Sequence, residues 1–363
     1  MKILILGGTG AMGVDLVRIL AERGESVTVT SRSERKSEFD NAKYVKGDAH
    51  DETFLKSLLS EKYDAIVDFM VYNTEEFRAR RDMLLRATKQ YLFLSSSRVY
   101  ADSKTPITED SPRLLDVTTD SEYLKTDEYA LTKARQENLL RESGRTNWTI
   151  IRPYITYSNQ RLQLGVYEKE LWLYRALHDK TIVFPKSIAE RYTTLTIGAD
   201  VAMGISKLIG NESAMGEAFH IATDRPVRWD DALAVYKRVF RDVTGKDVKI
   251  HYTDDPRPIY EAMRNKYQVI YDRLFDRRFD NSKYLRAVGG YDFVEPEVGL
   301  ERCLREFLRK PKFRDISRSW KSNALMDKIS HERTPLRAFY GWKSKAKYAV
   351  ARYTPYFDLI MKG

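Results

Sequence analysis

Short apolar runs alternate with stretches of helical period over the first 150 residues of the chain. Runs at Lys2–Leu6, Ser26–Thr30, Ala42–Lys46, Ala65–Phe69, Tyr91–Ser95 and Trp148–Ile151 have the length and the β-branched or aromatic content of strands. Between them, helical patterning predicts helices over Met12–Arg23, Glu52–Leu59 and Glu75–Thr88, and a long one from Glu122 to Glu142. Strand and helix in regular succession predict an α/β, doubly wound parallel sheet covered by helices. Near Arg152-Pro153 the rhythm changes to longer connections, helices such as Trp229–Val243 and a few returning strands. The expected division is therefore 1–151, then a smaller α/β domain over 152–313 with segments returning to the first sheet, then an extension over 314–363.

Composition narrows the class. Hydrophobic residues are 42% and charged residues 31% of 363, enough apolar material for a core and too much for a disordered chain. Cys303 is the one cysteine, which excludes a disulfide-stapled secreted domain and fits a reducing cytoplasm. Mean hydropathy is −0.52, and no apolar run approaches the roughly 18 to 20 residues that span a bilayer. The opening apolar run stops at Gly7-Gly8 and Asp15 follows, so it reads as a strand and not as a signal peptide.

The net charge of +10 is unevenly spread: from Arg314 to Gly363 eleven Lys or Arg face four acids, a net of +7. A charge confined to one appendage argues against nucleic acid as the partner of the body. No acid occurs from Arg333 to Phe357, where Phe339, Tyr340, Trp342, Tyr348, Tyr353, Tyr356 and Phe357 interleave with the bases. Two readings follow. The extension packs its aromatics on the body or a sister subunit with its bases solvated, or it docks on an anionic membrane surface or a glycan-assembly complex.

Chemistry first shows at the turn after the opening strand. Gly7-Gly8-Thr9-Gly10-Ala11-Met12-Gly13 has the spacing GxxGxxG between a strand and an amphipathic helix, the context of a Rossmann turn that holds a dinucleotide's pyrophosphate at a helix N-terminus. Gly7, Thr9, Gly10, Ala11, Met12 and Gly13 are thus candidate cofactor contacts. An NAD site would place an acid at the end of the second strand; this chain has Thr30-Ser31-Arg32, with Arg35 beyond. Ser31, Arg32 and Arg35 there suit the 2′-phosphate of NADP, with NAD the alternative cofactor.

Tyr129 and Lys133 stand four apart in a helical stretch and project from one face. An ammonium beside a phenol stabilises the phenolate and brings a group that titrates near 10 into a useful range for proton transfer. With 23 tyrosines about two such YxxxK matches arise by accident, and Tyr100 with Lys104 is a second, but it lies in a loop where the two need not meet. Upstream, Ser95-Ser96-Ser97 end the fifth strand and offer a hydroxyl to hold a substrate hydroxyl.

Together these features resemble the extended short-chain dehydrogenase/reductases of the NAD-dependent epimerase/dehydratase kind, many of which modify nucleotide sugars. The resemblance covers roughly residues 1–313 and includes GxxGxxG, Gly47-Asp48, Ser96 to Tyr100, Thr108 to Pro112, YxxxK, Arg152-Pro153 followed by Tyr157, Asp200-Val201-Ala202 and Phe279 to Lys283. It implies Tyr129 as acid/base, Lys133 on the nicotinamide ribose and tuning the phenol, and Ser96 orienting substrate, with Ser97 as fallback. It implies Asp48 at the adenine, Pro153, Tyr154 and Ile155 along the nicotinamide and substrate, and a homodimer. Arg191 and Arg257 are candidates for the sugar diphosphate, although Arg191 lies nine residues before Asp200, out of the usual register. Ser97-Arg98 stand where 4,6-dehydratases carry acids, which argues against dehydration; Ser158 to Arg161 replace the common Gly-Pro.

The five histidines are scattered without a metal-binding spacing, so no metal is expected, and no GxSxG nucleophile is present. The reading is a cytoplasmic NADP- or NAD-dependent epimerase or oxidoreductase of a nucleotide sugar, in polysaccharide biosynthesis. The alternatives are an NADPH-dependent reductase of a non-sugar carbonyl compound and, outside enzymes, an RNA-binding protein on the same scaffold.

Overall fold

Seven parallel strands pair into one sheet, seen in a computed structural model that describes residues 1–354. They are β1 (Lys2–Leu6), β2 (Ser26–Ser31), β3 (Ala42–Lys46), β4 (Tyr63–Asp68), β5 (Thr88–Leu94), β6 (Trp148–Ile151) and β7 (Glu217–Phe219). Their order is β7-β6-β5-β4-β1-β2-β3, with Ile3 opposite both Val27 and Ala65. Strand β1 is apolar without alternation because both faces are covered. Ile3 and Ile5 meet the layer of α1 (Ala11–Glu22) and a helix over Gly198–Leu208, while Leu4 and Leu6 meet Leu55, Phe77, Leu84 and Leu139 on the other face.

Several boundaries differ from the sequence reading. The strand expected over Ala65–Phe69 starts at Tyr63, whose ring is buried and whose N–H bonds to Ala87. The helix expected over Glu75–Thr88 is α3 (Thr74–Arg86), following α2 (Glu52–Leu59) and opened by a capping box between Asn73 and Glu76; Thr88 joins β5.

The long helix expected over Glu122–Glu142 is broken. A single turn over Ser121–Leu124 is followed by an extended Glu128, and α4 runs over Tyr129–Arg141. Long-range bonds hold the break. Asp127 accepts from the N–H and hydroxyl of Thr74 at 3.1 and 2.7 Å, and Arg135 donates to the carbonyls of Leu124 and Thr126, both at 2.6 Å. Tyr129 therefore opens a helix instead of sitting within one.

The chain forms two compact units. The first comprises Met1–Thr156, Thr194–Arg225 and Arg278–Val294; the second comprises Tyr157–Thr193, Pro226–Arg277 and the described residues from Glu295 on. β7 and Arg278–Val294 are the segments expected to return to the first unit; the segment after Arg314 is no separate extension, because it has buried partners in the second unit.

In the second unit α5 (Trp229–Thr244) packs on α7 (Pro296–Arg309), and Trp172 stacks on Tyr236 with centroids 4.6 Å apart. The element between them, α6, spans Arg257–Met263. The extension continues with α8 (Trp320–Ile329) and α9 (Trp342–Tyr353). Its anchor is Asp327, fully buried, which meets Arg175 at 2.9 Å and Lys180 at 2.6 Å and accepts from Tyr348 and Thr334. Phe339 and Tyr348 are buried, whereas Tyr340, Trp342 and Tyr353 are exposed. Tyr356 and Phe357 lie outside the described residues. No helix among the described residues is long and apolar enough to cross a membrane.

Candidate active site

Between β1 and α1 the chain turns through Gly7, Gly8, Thr9 and Gly10. Gly7 has φ +72°, which side chains on L-residues rarely adopt, and its N–H donates to Thr30 Oγ1 at 2.9 Å. A Cβ on Gly13 would lie 2.6 Å from the Gly8 backbone, so α1 sits directly on the turn. At Gly10 a Cβ would meet nothing within 4 Å, and Gly10 caps α1 without a side-chain hydrogen bond. The first amides of α1, from Ala11 and Met12 on, are thus left for an anion with room to approach, which fits a dinucleotide's pyrophosphate.

Beyond β2, Arg32 and Arg35 are exposed and form no ion pair among the described residues, while Ser31 is buried and its Oγ accepts from Ser33 N–H. Asp48, past β3, is exposed and accepts from His50 N–H at 3.0 Å.

Strand β5 delivers Ser95, Ser96 and Ser97 to the first turn of α4, which packs on the 3-10 turn Ser97–Val99. Lys133, one helical turn past Tyr129, is 1% exposed; its Nζ lies 4.6 Å from the Phe93 ring centroid and 6.0 Å from that of Tyr129. Burial pulls its pKa down to about 8, against the attraction of the Asp68 and Glu137 carboxylates. Asp68 ends β4 and is itself buried; desolvation raises its pKa, although Tyr91 hydroxyl and Met70 N–H donate to it at 2.7 and 2.9 Å.

The serines differ in what they can still do. Ser97 is fully buried and donates to the Arg152 carbonyl at 2.8 Å. Ser96 Oγ accepts from Arg98 N–H at 3.2 Å, and its own proton has no acceptor among the described residues. Arg98 crosses to Glu128 at 2.5 Å, and its guanidinium carbon lies 5.3 Å from the Tyr129 ring centroid. Glu128 also accepts from Ala130 N–H and Tyr123 hydroxyl.

Beneath the site, Glu137 faces Arg152 at 2.8 and 2.6 Å and accepts from Ser95 at 2.6 Å. Burial would raise the Glu137 pKa, but the Arg152 guanidinium and these hydrogen bonds hold it below its ordinary value. Arg152 also donates to Tyr100 hydroxyl at 2.8 Å, which lies 3.4 Å from His220 Nδ1. Tyr100 is thus part of this framework, and Lys104 is exposed: the second YxxxK match is structural. His220 is fully buried, and burial depresses its pKa to about 4.

The remaining candidates are scattered. Pro153 accepts Ser97 N–H at 2.9 Å, Tyr154 and Ile155 are buried, and the Tyr154 ring lies 5.3 Å from Phe279. Arg191 and Arg257 belong to the second unit; Arg191 is exposed and Arg257 is ion-paired to Asp255 at 2.8 Å. No group of metal-ligating side chains occurs among the described residues. Sequence reasoning missed Glu137, Asp68 and the Arg98–Glu128 pair. Glu137 alone had a signal, as the next i+4 step after Lys133 on a buried helix face.

The family model described as "NAD dependent epimerase/dehydratase family" matches residues 3–222. The chloroplast stem-loop binding protein of 41 kDa b of Arabidopsis thaliana is 30% identical over 247 residues, which is 63% of this chain and 60% of that protein. A UDP-glucose 4-epimerase of Lactobacillus helveticus is 34% identical over 135 residues, 31% of this chain and 41% of the relative. The chain thus spans less than two thirds of either relative's length. The Bordetella bronchiseptica enzyme WbmH, solved with NAD+, superposes with a TM-score of 0.64 at 15% identity, covering 85% of this chain and 98% of that one. At that identity the likeness is one of fold.

Proposed function

The chain belongs to the NAD-dependent epimerase/dehydratase family, and from that membership we propose that it is an epimerase or oxidoreductase of a nucleotide-activated sugar. The carrying observation is the ammonium of Lys133, buried 6.0 Å from the Tyr129 ring at the carboxyl end of a parallel sheet. Such a charge is costly to bury unless it has a task. In this reading Tyr129 takes a proton from a sugar hydroxyl and later returns it, Lys133 stabilises the phenolate, and Ser96 holds the hydroxyl with the proton it has to spare. Ser97 is excluded from that role by its bond to Arg152.

A nicotinamide bound along the glycine turn would take hydride from the sugar carbon or return it. Gly7, Gly10 and Gly13 give its pyrophosphate access to α1, Arg32 and Arg35 favour NADP over NAD, and Asp48 faces the adenine end. The likeness to a UDP-glucose 4-epimerase supports a nucleoside diphosphate sugar as substrate. Arg191 and Arg257 are the candidates for its diphosphate; Arg257 must then leave Asp255.

The test is to incubate UDP- and dTDP-sugars with the protein and cofactor while following the nicotinamide absorbance. Product without net absorbance change identifies an epimerase; net turnover identifies a reductase or dehydrogenase. Turnover of non-sugar ketones alone would overturn the sugar assignment in favour of a carbonyl reductase.

A second reading, RNA binding on the same scaffold, is favoured by the 30% identity to a stem-loop binding protein. Filter binding of an RNA hairpin across a salt series tests it: a steep salt slope supports phosphate contacts, and a flat one removes the reading.

A further inference from the structure

Within the second unit, a cavity of about 480 Å³ is lined by four cations, Arg264, Arg318, Lys321 and Lys347, together with Trp320 and Met263. They come from three distant segments: the residue after α6, the start of α8 and the middle of α9. No acidic side chain lines the cavity among the described residues. Asp315 acts on Arg318 from a distance, but its carboxylate already accepts the N–H of Ser317 at 2.9 Å.

Two other cations of this unit have acidic partners: Arg175 has Asp327, and Arg305 has Glu301 and Asp242. Arg318, Lys321 and Lys347 form no ion pair among the described residues. The Lys321 Nζ is enclosed and finds no hydrogen-bond acceptor among those residues. It lies 5.6 Å from the Trp320 ring centroid, and Lys347 Nζ lies 6.0 Å from the same ring. Burial lowers the Lys321 pKa, and the neighbouring charges of Arg264 and Lys347 push in the same direction. Like charges gathered around a partly desolvated ammonium repel, and an anion relieves both the repulsion and the missing acceptor. The opening of α8 adds to this, since Ser319 makes no side-chain capping bond to its first amides.

The geometry points to a binding site for a phosphate group, with Arg264, Arg318, Lys321 and Lys347 around the anion and the Trp320 ring as one wall. The phosphate belongs to a small molecule or to a lipid headgroup. The site is independent of the sugar reading, since none of its residues takes part in the chemistry around Tyr129.

The full-length protein, saturated with NADP to fill the glycine turn, is titrated with radiolabelled pyrophosphate in equilibrium dialysis. In parallel it is sedimented with phosphatidylglycerol and with phosphatidylcholine vesicles. Saturable binding of pyrophosphate, weakened about tenfold or more in Lys321→Gln and in Lys347→Gln, supports the site. Retention on phosphatidylglycerol vesicles alone, lost in the same variants, supports it and assigns the lipid source. Lys347 is exposed, so its variant keeps the test meaningful if Lys321→Gln folds poorly. Failure of both probes to bind, or equal binding by wild type and variants, overturns the proposal. So does binding of an RNA hairpin, lost in the same variants, where neither probe binds, since the cavity would then be part of a nucleic-acid groove.

Discussion

Glu137 and Arg152 form a bidentate ion pair in which both side chains are essentially without solvent, at Nε–Oε1 2.8 Å and Nη2–Oε2 2.6 Å. The pair ties α4, one turn past Lys133, to the residue that follows β6, and Ser95 joins it from the end of β5. Removing Arg152 leaves the buried Glu137 carboxylate with Arg113, at 3.2 Å, as its remaining cation, so the cost falls toward the low end of the span for breaking a buried pair, roughly 3 kcal/mol. Arg152→Met is expected to lower denaturant stability by about that amount. Glu137→Gln, which keeps shape and part of the hydrogen bonding, should cost less. Urea unfolding of both variants checks this ordering, and equal stability of all three proteins would contradict it.

Tyr129→Phe removes only a hydroxyl from the opening residue of α4. Turnover should fall by about 10²- to 10⁴-fold, the usual span for loss of a general acid/base. Unfolding midpoint and cofactor affinity should stay near wild type. A variant that retains most of its kcat would remove the phenol from the mechanism.

In the proposed mechanism, Lys133 sets an alkaline limit. With a folded pKa near 8, its ammonium is lost as pH rises through 8, and the phenolate loses its partner. The expected profile of kcat/KM falls above about pH 8, and Lys133→Arg, whose guanidinium stays charged, should retain a lower rate without that limb. The same group affects stability in a definite direction. Its folded pKa lies below the ordinary lysine value of 10.5, so between 8 and 10.5 the unfolded chain binds more protons, and its contribution to stability rises with pH across that window. Unfolding free energies at pH 8 and pH 10, compared between wild type and Lys133→Met, check the sign.

Much of this was legible in the sequence because it is local. An apolar run such as Ile3 to Leu6 has one place to go in a helix-covered sheet, and a glycine such as Gly7 needs no distant information to mark a turn. What escaped depends on contacts across tens of residues. The break before Tyr129 is made by Asp127 reaching Thr74, and the support under Lys133 by Glu137 reaching Arg152. The serines could be told apart only once Ser97 was seen bonded to the Arg152 carbonyl. The extension read as an appendage because the acid that anchors it, the buried Asp327, is lost among eleven bases.

In the proposed reading, the exposed Arg32 at the end of β2 sets the choice between NADP and NAD. A charge-assisted contact to a 2′-phosphate makes Arg32→Ala expected to raise KM for NADP by about tenfold or more while leaving that for NAD within about twofold. Initial rates with both cofactors decide it, and an unchanged preference removes Arg32 from the site.

Asp327 offers the sharpest test of how the extension is held. Its carboxylate is fully buried, and despite burial its pKa is held below the ordinary value by Arg175, Lys180, Tyr348 and Thr334. Asp327→Ala leaves the Lys180 ammonium without its acid, leaves Arg175 with Glu332 alone at 3.1 Å, and unties Tyr348 on α9 from α8. Local opening of the segment from Ser330 to Thr354 is therefore expected before global unfolding, because Thr334 and Tyr348 of that segment bond to this residue. Limited trypsin digestion should cleave the variant within Arg333–Arg352 at a rate at least about tenfold above wild type, consistent with loss of roughly 1.4 kcal/mol or more of local stability. The first unit carries the Tyr129 site and shares none of these bonds, so turnover of the uncleaved variant should stay near wild type. Equal cleavage rates would mean that the packing of Phe339 and Ala351 holds the extension without the ion pairs.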